Sequence, residues 1–166
     1  MLYILNIESR KLVWSMVMNN EFDANPGQHA AHSLPGGEIL VFVNNGDFSQ
    51  RRAQRSESFS YIGLVDSLTS KFKWKHIPEP AERYFSQRFG AVEKLENGNF
   101  LISYLKSDEN GAAFEVTDKG RLVWEWTNGT RKSDGAPVPV YRVSRLKREQ
   151  VEPYLKKWKS FGVNSN

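Results

Sequence analysis

The chain has 166 residues and no cysteine. That absence removes disulfide staples, thiolate metal ligands and cysteine nucleophiles together. It leaves the compartment open, because a reducing cytosol and a cysteine-free exported protein look alike in this respect. Histidine is also scarce: there are three, His29, His32 and His76, with no HxH or HxxxH spacing and no clustered carboxylates beside them. A metal centre is therefore not expected, and no cofactor is. No stretch approaches the ~18 consecutive apolar residues of a membrane helix. The opening Met1–Asn6 lacks the basic flank and the longer apolar run of a secretory leader, and reads instead as a strand already in progress.

What remains is ordinary in amount and unusual in order. Apolar residues make up 39% and aromatics 13%, enough to build a core and to argue against disorder. Net charge is +4, with basic residues at Arg51, Arg52 and Arg55 and again between Arg142 and Lys159. Without a groove-entering element or a stacking platform beside that charge, it reads as solvated surface and a cationic tail. No nucleic-acid partner is expected.

The informative feature is repetition. Ser33-Leu34-Pro35-Gly36-Gly37-Glu38-Ile39-Leu40-Val41-Phe42-Val43 returns 61 residues later as Lys94-Leu95-Glu96-Asn97-Gly98-Asn99-Phe100-Leu101-Ile102-Ser103-Tyr104. A tryptophan strand recurs three times, as Lys11-Leu12-Val13-Trp14, Lys71-Phe72-Lys73-Trp74 and Arg121-Leu122-Val123-Trp124. Gly36-Gly37, Asn97-Gly98 and Lys119-Gly120 supply the positive φ angles that tight hairpins demand. The fold class that follows is all-β: a partial β-propeller with a short C-terminal helix.

Residues 1–17 read as the outer two strands of one blade, with spans 2–7 and 11–17. A complete blade covers 25–77, with strands 28–34, 38–43, 59–65 and 71–76. A second covers 85–127, with strands 89–95, 99–104, 112–117 and 121–126. Residues 138–146 read as one more inner strand, which completes a propeller domain of 1–146. Residues 147–166 form a tail whose Val151, Leu155 and Trp158 stand at helical spacing. The recurrent tryptophans are expected to pack between adjacent sheets. Blades in this number do not close a ring, so missing blades or self-association must cover the open sides.

Inner-strand entrances are where such scaffolds carry function. The first entrance, Asn25-Pro26-Gly27-Gln28-His29-Ala30-Ala31-His32, has a histidine where the second, Phe85-Ser86-Gln87-Arg88-Phe89-Gly90, has none. His29 is thus the candidate nucleophile or base, and Arg88 the candidate anion holder, with one of Arg51, Arg52 and Arg55 turned back toward the same mouth. A neutral imidazole can attack an anionic ester while guanidinium and amide donors hold the transferred charge. The bland alternatives are a histidine bonded to a neighbouring turn, a structural His32 and an exposed His76.

Gln28-His29-x-x-x-x-Leu34-Pro35-x-Gly37-x-Ile39-Leu40-Val41-Phe42, followed by Asn44-Asn45-Gly46, resembles a segment of the arylsulfotransferase family. Phe85-Ser86 through Gly90-Ala91, Leu95-x-Asn97-Gly98-Asn99, Phe114-Glu115-Val116-Thr117 and Gly120-x-Leu122-Val123-Trp124-Glu125-Trp126 resemble its next blade. Val140-Tyr141-Arg142-Val143 resembles its closing stretch. The resemblance spans roughly residues 1–146. It implies a six-bladed propeller, this chain being its C-terminal portion. It also implies nucleotide-independent sulfuryl transfer from a phenolic sulfate to a phenol through a histidine-bound intermediate in the full-length protein, with this chain inactive by itself, and a periplasmic or exported location. By position His29 and Arg88 become catalytic, and Gln28, Asn45 and Arg52 substrate-binding. Two departures stand out: only one channel histidine matches, and Ala30-Ala31 replaces the polar positions after it. A non-catalytic binding module is the competing expectation, and a quinone-dependent propeller a more distant one.

Overall fold

A computed structural model describes residues 1–18, 26–45, 59–79, 85–86, 89–105 and 110–160. Among them are ten strands in three antiparallel sheets, none closed on itself, and one helix. The first sheet pairs β1 (Leu2–Asn6) with β2 (Lys11–Met16). The second runs β3 (Pro26–Ser33), β4 (Glu38–Asn45), β5 (Phe59–Asp66) and β6 (Lys71–His76), in that order. The third runs β7 (Ala91–Lys94), β8 (Phe100–Leu105), β9 (Gly111–Val116) and β10 (Leu122–Thr127). Helix α1 spans Arg148–Ser160, and no helix among the described residues is long and apolar enough to cross a membrane.

Both four-stranded sheets are consecutive hairpin ladders, and the turn chemistry explains their sharpness. Gly36, Gly37 and Gly98 have φ of 91°, 83° and 85°, a region that costs a side chain energy and glycine nothing. The turn before each tryptophan strand repeats the device: Arg10, Ser70 and Gly120 all sit at positive φ, so two repeats adopt it without glycine.

The central strands face two ways, and the pleat sorts them. In β4, Ile39, Val41 and Val43 pack toward the first sheet, with Leu2, Ile4, Trp14 and Met16. The intervening Leu40 and Phe42 pack toward the third sheet, against Val92, Phe100, Ile102 and Phe114. The second sheet is thus a layer between two others. Each fully buried Phe or Leu side chain there contributes about 1.5–3 kcal/mol of transfer free energy. Close approach is enforced by glycine: a Cβ on Gly90 would lie 2.0 Å from the Phe42 ring.

The tryptophans hold these layers together, with one exception. Trp74 stacks on Phe100 of the next sheet, ring centroids 4.6 Å apart and planes 17° off parallel. Trp14 packs into the cluster between the first and second sheets, its indole N–H donating to Ser70 Oγ at 3.2 Å. Trp124, by contrast, is exposed on the far side of the third sheet. The expectation of inter-sheet packing fails there because no fourth sheet faces it among the described residues.

Residues 138–146 correct a second expectation: they form no strand. A strand needs a neighbour for its backbone ladder, and here the segment lies across the far face of the third sheet instead. Val143 covers Leu95, Leu101 and Ala113, and its N–H donates to Ser103 Oγ at 2.8 Å. Arg145 reaches buried Glu115, Lys147 pairs with Glu96 at 3.0 Å, and Tyr141 meets Phe89 edge-on. Gly111 makes the crossing possible, since a Cβ there would stand 2.3 Å from the Val140 nitrogen.

Candidate functional site

Strands β3 and β7 are edge strands of their sheets, each paired on one side only among the described residues. His29 lies opposite Phe42 and His32 opposite Leu40, with a bulge between them. Alternation alone would put residues three apart on opposite faces. The bulge, with Ala30 at φ 46°, returns both imidazoles to the face that looks toward the third sheet. An alanine in that region carries about 1–2 kcal/mol of strain, which the surrounding ladder must hold.

Both histidines are half-buried, and burial pushes each below the ordinary imidazole range. For His32 the Arg142 guanidinium pushes further down, while Glu93 pulls the other way. Both rings are therefore neutral at neutral pH. His32 Nε2 and Glu93 Oε2 are buried without a hydrogen-bond partner. Three successive segments thus bring His32, Glu93 and Arg142 into one electrostatic neighbourhood.

The other expected site residues separate. Gln28 lies opposite Val43, which puts it on the face toward the first sheet, and its Oε1 accepts a hydrogen bond of 2.8 Å from the Met1 ammonium. Asn45 contributes backbone to β4, paired with Pro26 and Phe59. Arg52 and Arg88 lie outside the described residues, as do Arg51 and Arg55. Arg142, which the sequence placed in a closing strand, is the cation that acts on a site histidine. His76, expected to be exposed, is half-buried and stacked on Trp74 at 5.9 Å. Burial lowers its pKa as well.

Neighbouring polar groups are structural. Fully buried Asn44 accepts from the Ser60 hydroxyl at 2.7 Å, and Ser60 Oγ accepts from the Ser86 N–H at 2.9 Å. Ser86 Oγ in turn accepts from the Leu105 N–H, which ties the second sheet to the third. Glu115 accepts from Asn99 Nδ2 at 2.6 Å, from Asn97 and from Arg145. Burial raises its pKa, but those three donors outweigh burial and hold the carboxyl below the usual range. A void of about 10 Å³ between the two larger sheets, lined by Phe42, Ser60, Ile102 and Phe114 among others, has room for one water. Among the described residues no three His, Asp or Glu side chains gather as metal ligands.

Compared with protein-family models, with curated proteins and with solved structures, the chain matches none.

Proposed function

We propose that the three sheets are successive blades of a partial β-propeller, and that the chain takes part in sulfuryl transfer from an aryl sulfate to a phenol. The layered order of the sheets and their inner margins at β3 and β7 support the first part. The observation that carries the second is His29 itself: a half-buried imidazole on an inner strand, kept neutral by burial. Only the neutral ring has a lone pair to attack with.

In this reading an imidazole nitrogen of His29 attacks sulfur, the sulfur–oxygen bond to the aryl group breaks, and phenolate leaves with the electron pair. The acceptor phenol then attacks the same sulfur and releases the imidazole. Its proton is taken up, directly or through water, by the departed phenolate, so the balance closes without cofactor or metal. Arg142, whose charge acts on His32 on the same face, and Arg88 are the candidates to hold the charge of the transferred group.

The test is turnover of a chromogenic aryl sulfate with phenol as acceptor, followed by release of the coloured phenol. His29→Ala is expected to lower turnover by about 10²-fold or more, the scale of losing a positioned catalytic side chain. Turnover unchanged in that variant of the full-length protein refutes the assignment. A second reading, a non-catalytic interaction module, is favoured by the apolar faces left open on the first and third sheets.

A further inference from the structure

Two carboxylates flank Leu101 in one row across the third sheet, Glu93 on β7 and Glu115 on β9. Glu115 is saturated, with hydrogen bonds from Asn97, Asn99 and Arg145. Glu93 Oε2 is buried with no donor on it among the described residues. His32 Nε2, on the edge strand of the neighbouring sheet, is buried in the same condition. A buried polar atom without a partner is costly and uncommon, and here two occur on β3 and β7, which touch. The transfer chemistry assigned to His29 uses neither.

The charges around these atoms define what would fit. Glu93 favours a proton on the His32 ring and Arg142 opposes it. An anion would meet the Glu93 carboxylate, and a cation the Arg142 guanidinium. A neutral group that donates and accepts at once suits both atoms. A hydroxyl is such a group: its O–H donates to Glu93 Oε2 and its oxygen accepts from His32 Nε2–H. Register places this pair beside the reacting centre. His29 and His32 share a face, and their β4 partners, Phe42 and Leu40, are two residues apart. The two imidazoles therefore start about 7 Å apart along the strand, a gap that one aromatic ring with an oxygen at each end can bridge.

We propose that His32 and Glu93 form a second hydroxyl subsite beside His29, and that the acceptor is a diphenol. One of its hydroxyls attacks sulfur; the other is held between His32 Nε2 and Glu93 Oε2. The inference rests on the reading of His29 as the sulfuryl carrier and names the acceptor of that carrier. His32 and Glu93 set specificity and exchange no bond, so the balance of the transfer is unchanged. A monophenol leaves both buried atoms unpaired, which makes it the poorer ligand.

Binding is read without turnover by titrating the 166-residue chain with resorcinol and with hydroquinone, each against its monomethyl ether, and following the imidazole NMR signals. The ether keeps the ring and one hydroxyl, but its second oxygen has no proton to donate. At least one diphenol is expected to bind about tenfold or more tightly than its ether and to shift the His32 signals. Glu93→Ala and, separately, His32→Phe are each expected to abolish that preference with circular dichroism unchanged. Failure of one variant to fold leaves the other as the test. Equal binding of both diphenols and their ethers overturns the inference, as does no binding of any of them, or a preference that survives the substitutions. In the full-length protein the same preference is expected in kcat/KM for the acceptor, with sulfuryl labelling of His29 unaffected by Glu93→Ala. A chain that prefers diphenols while the full-length protein transfers no sulfuryl group refutes only the catalytic reading. Transfer indifferent to the second hydroxyl refutes only the subsite.

Discussion

Trp74 and Trp124 stand at equivalent places in two successive sheets and lead different lives. Trp74 lies flat on Phe100 and is also stacked with His76. Trp124 faces outward. The local sequence is the same device, a tight turn with a left-handed residue followed by a tryptophan strand. The next sheet alone decides whether the indole is core or surface. A repeat motif therefore specifies half of an interface; the other half has to arrive from elsewhere in sequence or from another molecule.

The largest expected effect tests the occupied side. Phe42 is fully buried between the second and third sheets, against Gly90. Phe42→Ala should cost about 3–5 kcal/mol in chemical denaturation. A value below 1 kcal/mol would mean that the sheets do not pack as described. Next comes the covering of the open side. Gly111→Val should drive the Val140 backbone away and cost about 1–3 kcal/mol, the range for overpacking. Amide exchange across 138–146 should accelerate more than exchange in β4.

Acid should act on the same segment. Glu115 is held below the ordinary carboxyl range, so it binds fewer protons folded than unfolded. Its contribution is complete above the unfolded pKa, about 4.3, and is lost as pH falls through the folded value. Arg145→Ala should shrink that acid-dependent loss by lowering stability at neutral pH, where the pair is charged, while leaving stability in acid nearly unchanged. The three histidines contribute at higher pH with the same sign, since each has a lowered folded pKa. Their stabilisation is full above about pH 6.5 and declines as the pH falls below it. Denaturation midpoints at pH 7.5 and 5.5, with His76→Phe as the comparison, would show a smaller pH dependence in the variant. The smallest effect closes the comparison. Trp124→Ala should cost at least about 1 kcal/mol less than Trp74→Ala, because it removes an exposed ring and no stacked pair. Equal costs would contradict the account.

Much of this architecture could be read from the residues. Glycine–glycine and asparagine–glycine turns between apolar runs located the hairpins of both large sheets to within two or three residues. The continuous run Ile39–Val43 is legible as a strand buried on both faces. The bulge at Ala30-Ala31 was not legible, because alanine carries no signal for positive φ, and with it went the shared face of His29 and His32. The path of 138–146 was misread for a related reason. Its Val-rich pattern is strand-like, but whether a strand forms depends on a partner that the pattern does not name. Arg142 and Glu93 were likewise invisible as neighbours of His32, since nothing local connects residues so far apart along the chain.

The functional claim comes down to one covalent bond. The chain, incubated with an aryl sulfate and quenched without acceptor, should carry a sulfuryl group on the peptide containing His29, and addition of phenol should discharge it. His29→Ala should remain unlabelled. A fully unlabelled protein, or label on a different residue with His29 free, would contradict the mechanism.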